Sequence, residues 1–112
     1  MPTYICQGRF TREAVRGMIG TPEDRTGPVS KLMEGIGGRL LSYYVTFGEY
    51  DWLLVCEAPN EQAVTAAVLA ATAGGGVADL KTTVAMTGAE AMQAFHTARD
   101  LASSFKSAGQ SG

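Results

Sequence analysis

Apolar positions alternate with polar ones in three parts of the chain and recur at helical spacing in four others. The densest stretch is Leu40 to Ala58. It carries Leu41, Tyr43, Val45 and Phe47 before a corner at Gly48-Glu49-Tyr50-Asp51, and Trp52, Leu53, Leu54, Val55 and Cys56 after it. Aromatic and β-branched runs joined by such a short corner predict a β-hairpin. Gly48 tolerates a positive φ there, and Asp51 can hydrogen-bond nearby amides and fix the bend.

Upstream, Thr3 to Arg9 reads as a strand with Tyr4, Cys6 and Gly8 on one face and Ile5 and Gln7 on the other. Thr11 is a natural N-cap with Glu13 in the first turn, and Val15, Met18 and Ile19 form a short helical stripe that Gly20 stops. Thr21-Pro22 reads as a second helix start, because proline in the first helical position gives up an amide that has no partner. Gly27-Pro28 reads as a further interruption before the stripe of Val29, Leu32, Met33 and Ile36, closed by Gly37-Gly38. A broken helix from Thr11 to Ile36, exposed and mobile in its middle, is therefore expected.

After the hairpin, Asn60 caps a helix with Val64, Ala67, Val68 and Ala71 on its buried side, ending at Gly74-Gly75-Gly76. Val77 to Met86 is the fourth strand, with Leu80, Thr82, Val84 and Met86 alternating against Lys81, Thr83 and Ala85. Thr87 and Glu90 have the spacing of a capping box. The helix behind them places Ala91, Ala94, Phe95, Ala98, Ala102 and Phe105 on one face. Residues 1 to 106 make one domain, and a polar tail, 107 to 112, is expected to be flexible.

The order β-α-β-β-α-β plus a final helix predicts an α+β, ferredoxin-like (split βαβ) fold. Two helices cover one face of a four-stranded sheet. The third strand is apolar on both faces, Trp52, Leu54 and Cys56 against Leu53 and Val55, so both faces need cover. A second copy of the sheet supplies it, giving a homodimer or higher oligomer arranged as a dimeric α/β barrel. The last helix could instead fold over the open face or reach a partner.

Composition narrows the rest. A charged content of 18% beside 46% hydrophobic residues leans towards an oligomer. Net charge is -2 and the nine Lys and Arg are scattered, so no nucleic-acid footprint is expected. No membrane span and no signal peptide are read, so a cytoplasmic location is expected. The two cysteines, Cys6 and Cys56, lie in separate strands and read as buried, reduced thiols, a cross-strand disulfide being the weaker alternative. With one histidine and these two thiols there is no metal-ligand cluster and no cofactor motif. The triple glycine follows a helix and lacks the Lys-Ser/Thr of a phosphate loop.

Three groups could carry chemistry. At the corner, Asp51 and Tyr50 suit a general base and an orienting phenol, but turn geometry explains the corner without a substrate. His96 could act as a base, yet it sits off the Phe95 stripe and four residues before Asp100, where an exposed pair is ordinary. Tyr4, Cys6, Tyr43 or Tyr44, Trp52, and Lys81 or Thr83 could line a mostly apolar cavity for a small aromatic or polyketide-like molecule. Those same side chains could equally fill a dimer interface.

Phe47-Gly48-Glu49-Tyr50-Asp51, followed by an apolar strand and Glu57-Ala58-Pro59, resembles the GYD-domain family, named for that corner. The resemblance runs over residues 2 to 96 and includes the Pro-Thr-Tyr start, Gly37-Gly38 and Lys81-Thr82-Thr83. It implies a dimeric α/β-barrel architecture and no assigned activity. Gly27-Pro28 and the alanine-rich second helix depart from the family pattern. A looser likeness is to the ligand-binding domain of leucine-responsive-type regulators, which join a similar corner to a DNA-binding helix-turn-helix. With only Met1 and Pro2 before Thr3, no helix-turn-helix is expected here, so this chain could sense a small molecule but is not expected to read DNA alone. The binding module, a cofactor-independent accessory enzyme (oxygenase, isomerase or cyclase) and a non-catalytic sensor or assembly module all remain open at this point.

Overall fold

In a computed structural model describing residues 1–109, the strands are β1 (Thr3–Phe10), β2 (Arg39–Val45), β3 (Trp52–Glu57) and β4 (Val77–Ala85). The helices are α1 (Arg12–Gly20), α2 (Thr26–Gly35), α3 (Glu61–Ala73) and α4 (Gly88–Ala102). The sheet runs β2-β3-β1-β4 with every neighbouring pair antiparallel. That is the α+β pattern the element order predicts.

Strand parity sets the two faces. Tyr4 pairs with Cys56, Cys6 with Leu54 and Gly8 with Trp52, so these residues share the inner face. Met33 from α2 and Val64 and Ala67 from α3 close over them. Tyr4, Cys6, Met33, Trp52, Leu54, Cys56, Ala58, Val64 and Ala67 form one buried cluster with no buried charge among the described residues. Removing each large side chain from water contributes about 1.5–3 kcal/mol, which makes this layer the main source of stability.

Gly8 is a packing requirement. A Cβ there would collide with the Trp52 indole, so the ring lies directly on the β1 backbone. Gly37 and Gly38 end α2 in a Schellman motif, with the Gly38 amide donating to the Met33 carbonyl at 2.9 Å, the Gly37 amide to Glu34 at 3.0 Å, and Gly37 at φ 79°. Thr11, Asn60 and Thr87 cap α1, α3 and α4 through their side-chain oxygens.

The broken first crossover is present, but its break lies elsewhere than expected. Thr21-Pro22 starts no helix, and Gly27-Pro28 falls within the first turn of α2. Proline costs nothing there, because first-turn amides have no intrahelical partner. Asp24 fixes the start instead: its Oδ1 accepts from the Thr26 amide at 2.9 Å and the Thr26 hydroxyl at 2.7 Å. That pair of bonds also holds the Asp24 carboxyl below its ordinary pKa.

The outer face carries Ile5 opposite Val55 and Thr83, and Leu53 opposite Gln7 and Tyr44. Nothing among the described residues covers it fully. Ile5, Leu53 and Val55 are half-buried, and Tyr44 is 59% exposed. Helix α4 does not fold back over it and buries none of its residues. It projects away, giving extents of 66 × 29 × 22 Å and a radius of gyration of 18.6 Å. A compact chain of this length has a radius of gyration of about 13 Å. Of the expected tail, residues 110 to 112 lie outside the described residues.

Candidate functional site

A cavity of about 320 Å³ lies between the inner face of the sheet and helices α2 and α3. The sheet provides Cys6, Phe10, Tyr43, Trp52, Leu54 and Leu80. From α2 come Val29, Leu32 and Met33, and from α3 Val68 and Ala71. Small residues of the alanine-rich α3 leave the room: Ala67, Ala70 and Ala71 stand where bulkier side chains would fill it. Arg25, just before α2, is the single charged residue of the lining. Its Nη1 donates to Glu23 Oε1 at 2.7 Å. A second cavity, about 350 Å³, lies beside the first and shares Phe10, Arg25, Gly76 and Val77 with it.

Three polar groups give the apolar lining its chemistry. Burial pushes the Tyr43 phenol up, with Arg25 and Asp24 acting on it in opposite senses. The Cys6 thiol is lowered to about 7, first because Cys56 hydrogen-bonds to it; burial opposes this, and Thr82 Oγ1 at 3.6 Å adds to it. Cys56 moves upward, by giving that bond and by burial. Both thiols are free and buried. They sit diagonally on β1 and β3, Cys6 facing Leu54 and Cys56 facing Tyr4. Diagonal cross-strand Cα atoms lie about 7–8 Å apart, beyond the usual reach of a disulfide. The third group is the Trp52 indole N–H, the one buried side-chain N or O among the described residues without a hydrogen-bond partner. Such an orphan donor costs about 1–3 kcal/mol while it stays unpaired.

The residues expected to line one pocket are divided by the sheet. Cys6, Tyr43 and Trp52 border the cavity, and Tyr4 lies in the core beside it. Tyr44, Lys81 and Thr83 stand on the outer face, where the register puts them with Leu53, Gln7 and Ile5. The helix-borne walls Val29, Leu32 and Val68, together with Arg25, were not among the expected lining residues. Their apolar periodicity was visible, but periodicity alone does not separate a core side chain from a cavity wall.

The corner residues lie apart from the cavity lining. The Asp51 amide donates to the Gly8 carbonyl at 2.8 Å, and Asp51 Oδ2 accepts from the Phe10 amide at 2.9 Å. Asp51 thus laces the hairpin to β1 beside the irregularity that shifts the β1–β4 pairing between Gln7 and Arg9, where Asp79 takes φ 54°. The Thr46 hydroxyl donates to the Tyr50 carbonyl at 2.7 Å, and the Arg9 guanidinium stands 5.9 Å from the Tyr50 ring centre. His96 is exposed on α4, and neither Asp51 nor His96 borders the cavity. Among the described residues no group of three or more His, Cys, Asp or Glu side chains could hold a metal, and no helix is long and apolar enough to cross a membrane.

A family model described as the GYD domain matches residues 4–95. No curated protein matches the sequence. Among solved structures, an AsnC family transcriptional regulator from Agrobacterium tumefaciens superposes with a TM-score of 0.53 and 20% identity, over 77% of this chain and 50% of that one. TTHA0845 from Thermus thermophilus superposes with a TM-score of 0.50 and 15% identity, over 79% of this chain and 96% of that one. At these identities the likeness is one of fold.

Proposed function

Since the chain belongs to the GYD-domain family, a family without an assigned activity, we propose from its cavity that it is a non-catalytic binding module for a small, largely apolar organic molecule. The observation that carries this is the cavity of about 320 Å³, apolar except for Arg25, Tyr43, Cys6 and Trp52. Ligand sites have that character: an apolar body held by area, and a few polar groups that orient it. A small aromatic or polyketide-like molecule bearing one or two oxygens fits the size and the donors. The non-catalytic form of the reading is supported by Asp51, whose hydrogen bonds are spent on backbone, and by His96, which stands on the projecting helix.

An accessory enzyme is the second reading, favoured by the lowered Cys6 thiol at the cavity wall. In either case two copies cover each other's outer faces, sheet towards sheet as in a dimeric α/β barrel. The half-buried Ile5, Leu53 and Val55 support that pairing.

Nuclear magnetic resonance tests the binding reading, because the sole tryptophan gives one isolated indole N–H signal. Titrated with 1-naphthol, that signal should shift saturably. Ala71→Phe, which fills the cavity from α3, should abolish the shift while the protein stays folded. Shifts confined to outer-face residues such as Leu53 and Tyr44 would contradict the reading.

A further inference from the structure

Helix α4 is an amphipathic helix that buries none of its residues against the rest of the described chain. Ala91, Ala94, Phe95, Ala98, Leu101 and Ala102 fall at helical spacing on one side, and Gln93, His96, Thr97 and Asp100 on the other. Phe95 is 73% exposed and Leu101 65%, and Phe105 just beyond the helix is 72% exposed. Helices of about 15 residues are marginal in water alone, and most draw their stability from packing an apolar face. The outer face of the sheet has the complementary deficit.

These two surfaces do not meet within the described residues: α4 projects away from the sheet and buries none of its own side chains. Only Met86 and Thr87 separate β4 from α4. Thr87 and Glu90 lock the start of the helix, with the Thr87 amide donating to Glu90 Oε1 at 3.0 Å and the Glu90 amide to Thr87 Oγ1 at 3.1 Å. With α4 held in that direction, cover for each surface can come from another molecule. A second copy supplies both in matching number, since an isologous pair repeats every contact twice.

We infer that α4 is an exchanged arm: in the sheet-to-sheet pair, the helix of each copy lies along the β2 edge of the other's outer face, its Phe95-Leu101-Phe105 stripe over Tyr44. This rests on the pairing put forward above and names what completes it. Stacking covers the sheet centre at Ile5, Leu53 and Val55, while Tyr44 at the edge is left for the arm. The helix, about 22 Å long at 1.5 Å per residue, is comparable to the seven-residue β2, about 23 Å along its strand.

Cross-linking of the full-length chain tests this. Protein carrying Ala98→Cys is mixed with protein carrying Tyr44→Cys and treated with a short bismaleimide. Cys6 and Cys56 are buried, and unsubstituted protein controls for them. The dominant product should join position 98 of one chain to position 44 of the other. Hydrogen exchange of the α4 amides should quicken at least about tenfold on dilution below the dimer's dissociation constant. Products joining only 98 to 98 would overturn the inference. A dimer by light scattering whose α4 amides exchange as a free helix would overturn the arm and leave the sheet pairing standing. A monomer at all concentrations would overturn both.

Discussion

Replacing Asp51 separates a structural corner from a catalytic one. In Asp51→Ala the backbone bond from residue 51 to Gly8 persists, but the Phe10 amide loses its carboxylate acceptor at 2.9 Å. A hydrogen bond to a charged acceptor contributes about 1.5–3 kcal/mol, and the half-buried setting places this one near the lower end. A loss of about 1.5 kcal/mol lowers the melting temperature of a domain this size by roughly 5–10 °C. Asp51→Asn keeps an acceptor oxygen without the charge and should recover about half of that loss. Differential scanning calorimetry of the three proteins reads the series, with the 1-naphthol titration of Trp52 run beside it. Stability should fall in the order Asp, Asn, Ala, while the folded fraction binds unchanged. An Asp51→Ala protein that melts at the original temperature yet no longer binds would refute the structural assignment.

Two further outcomes follow from local geometry. Gly8→Ala should drive a methyl into the Trp52 indole; overpacking of this kind costs about 1–3 kcal/mol, visible as lost near-ultraviolet circular dichroism and a lower melting temperature. The Glu90 carboxyl is held below its usual range, chiefly by the Thr87 amide. A depressed carboxyl contributes stability above its unfolded pKa of 4.5 and loses it as pH falls through the lower folded value. Helical signal from the start of α4 should therefore fade on acidification below about 4.5, and Thr87→Ala, which removes the cap, should weaken that helix at neutral pH as well.

The features legible beforehand are those written in local sequence. The bend fixed by Asp51, the caps at Thr11, Asn60 and Thr87, and the two-sided apolar character of β3 all depend on neighbours within a few positions; Gly48, by contrast, is not in the positive-φ conformation expected of it. The misplaced break in the first crossover shows the limit of such rules. Pro22 and Pro28 each satisfy a first-turn position, and only the bonds from Asp24 to Thr26 choose between them. Cavity membership was less accessible, because alternation assigns faces within one strand and says nothing of its register against the next. Irregularities between Leu40 and Ser42 and between Gln7 and Arg9 shift that register, and a one-residue shift exchanges the faces. Thus Tyr43 points inward with Leu54 and Tyr44 outward, an assignment that needs the register, whereas Lys81 and Thr83 stand outside on the side of β4 that alternation already separates from Leu80 and Thr82. The cavity itself depends on how far α2 and α3 stand off the sheet, which is a tertiary distance.

Native mass spectrometry of the protein purified from its own source tests the central claim most directly. The expected species has two chains carrying small organic molecules, up to one per subunit, which leave on collisional activation and are absent from Ala71→Phe protein prepared in the same way. A bare single chain, or a bound molecule that persists when the cavity is filled, would contradict it.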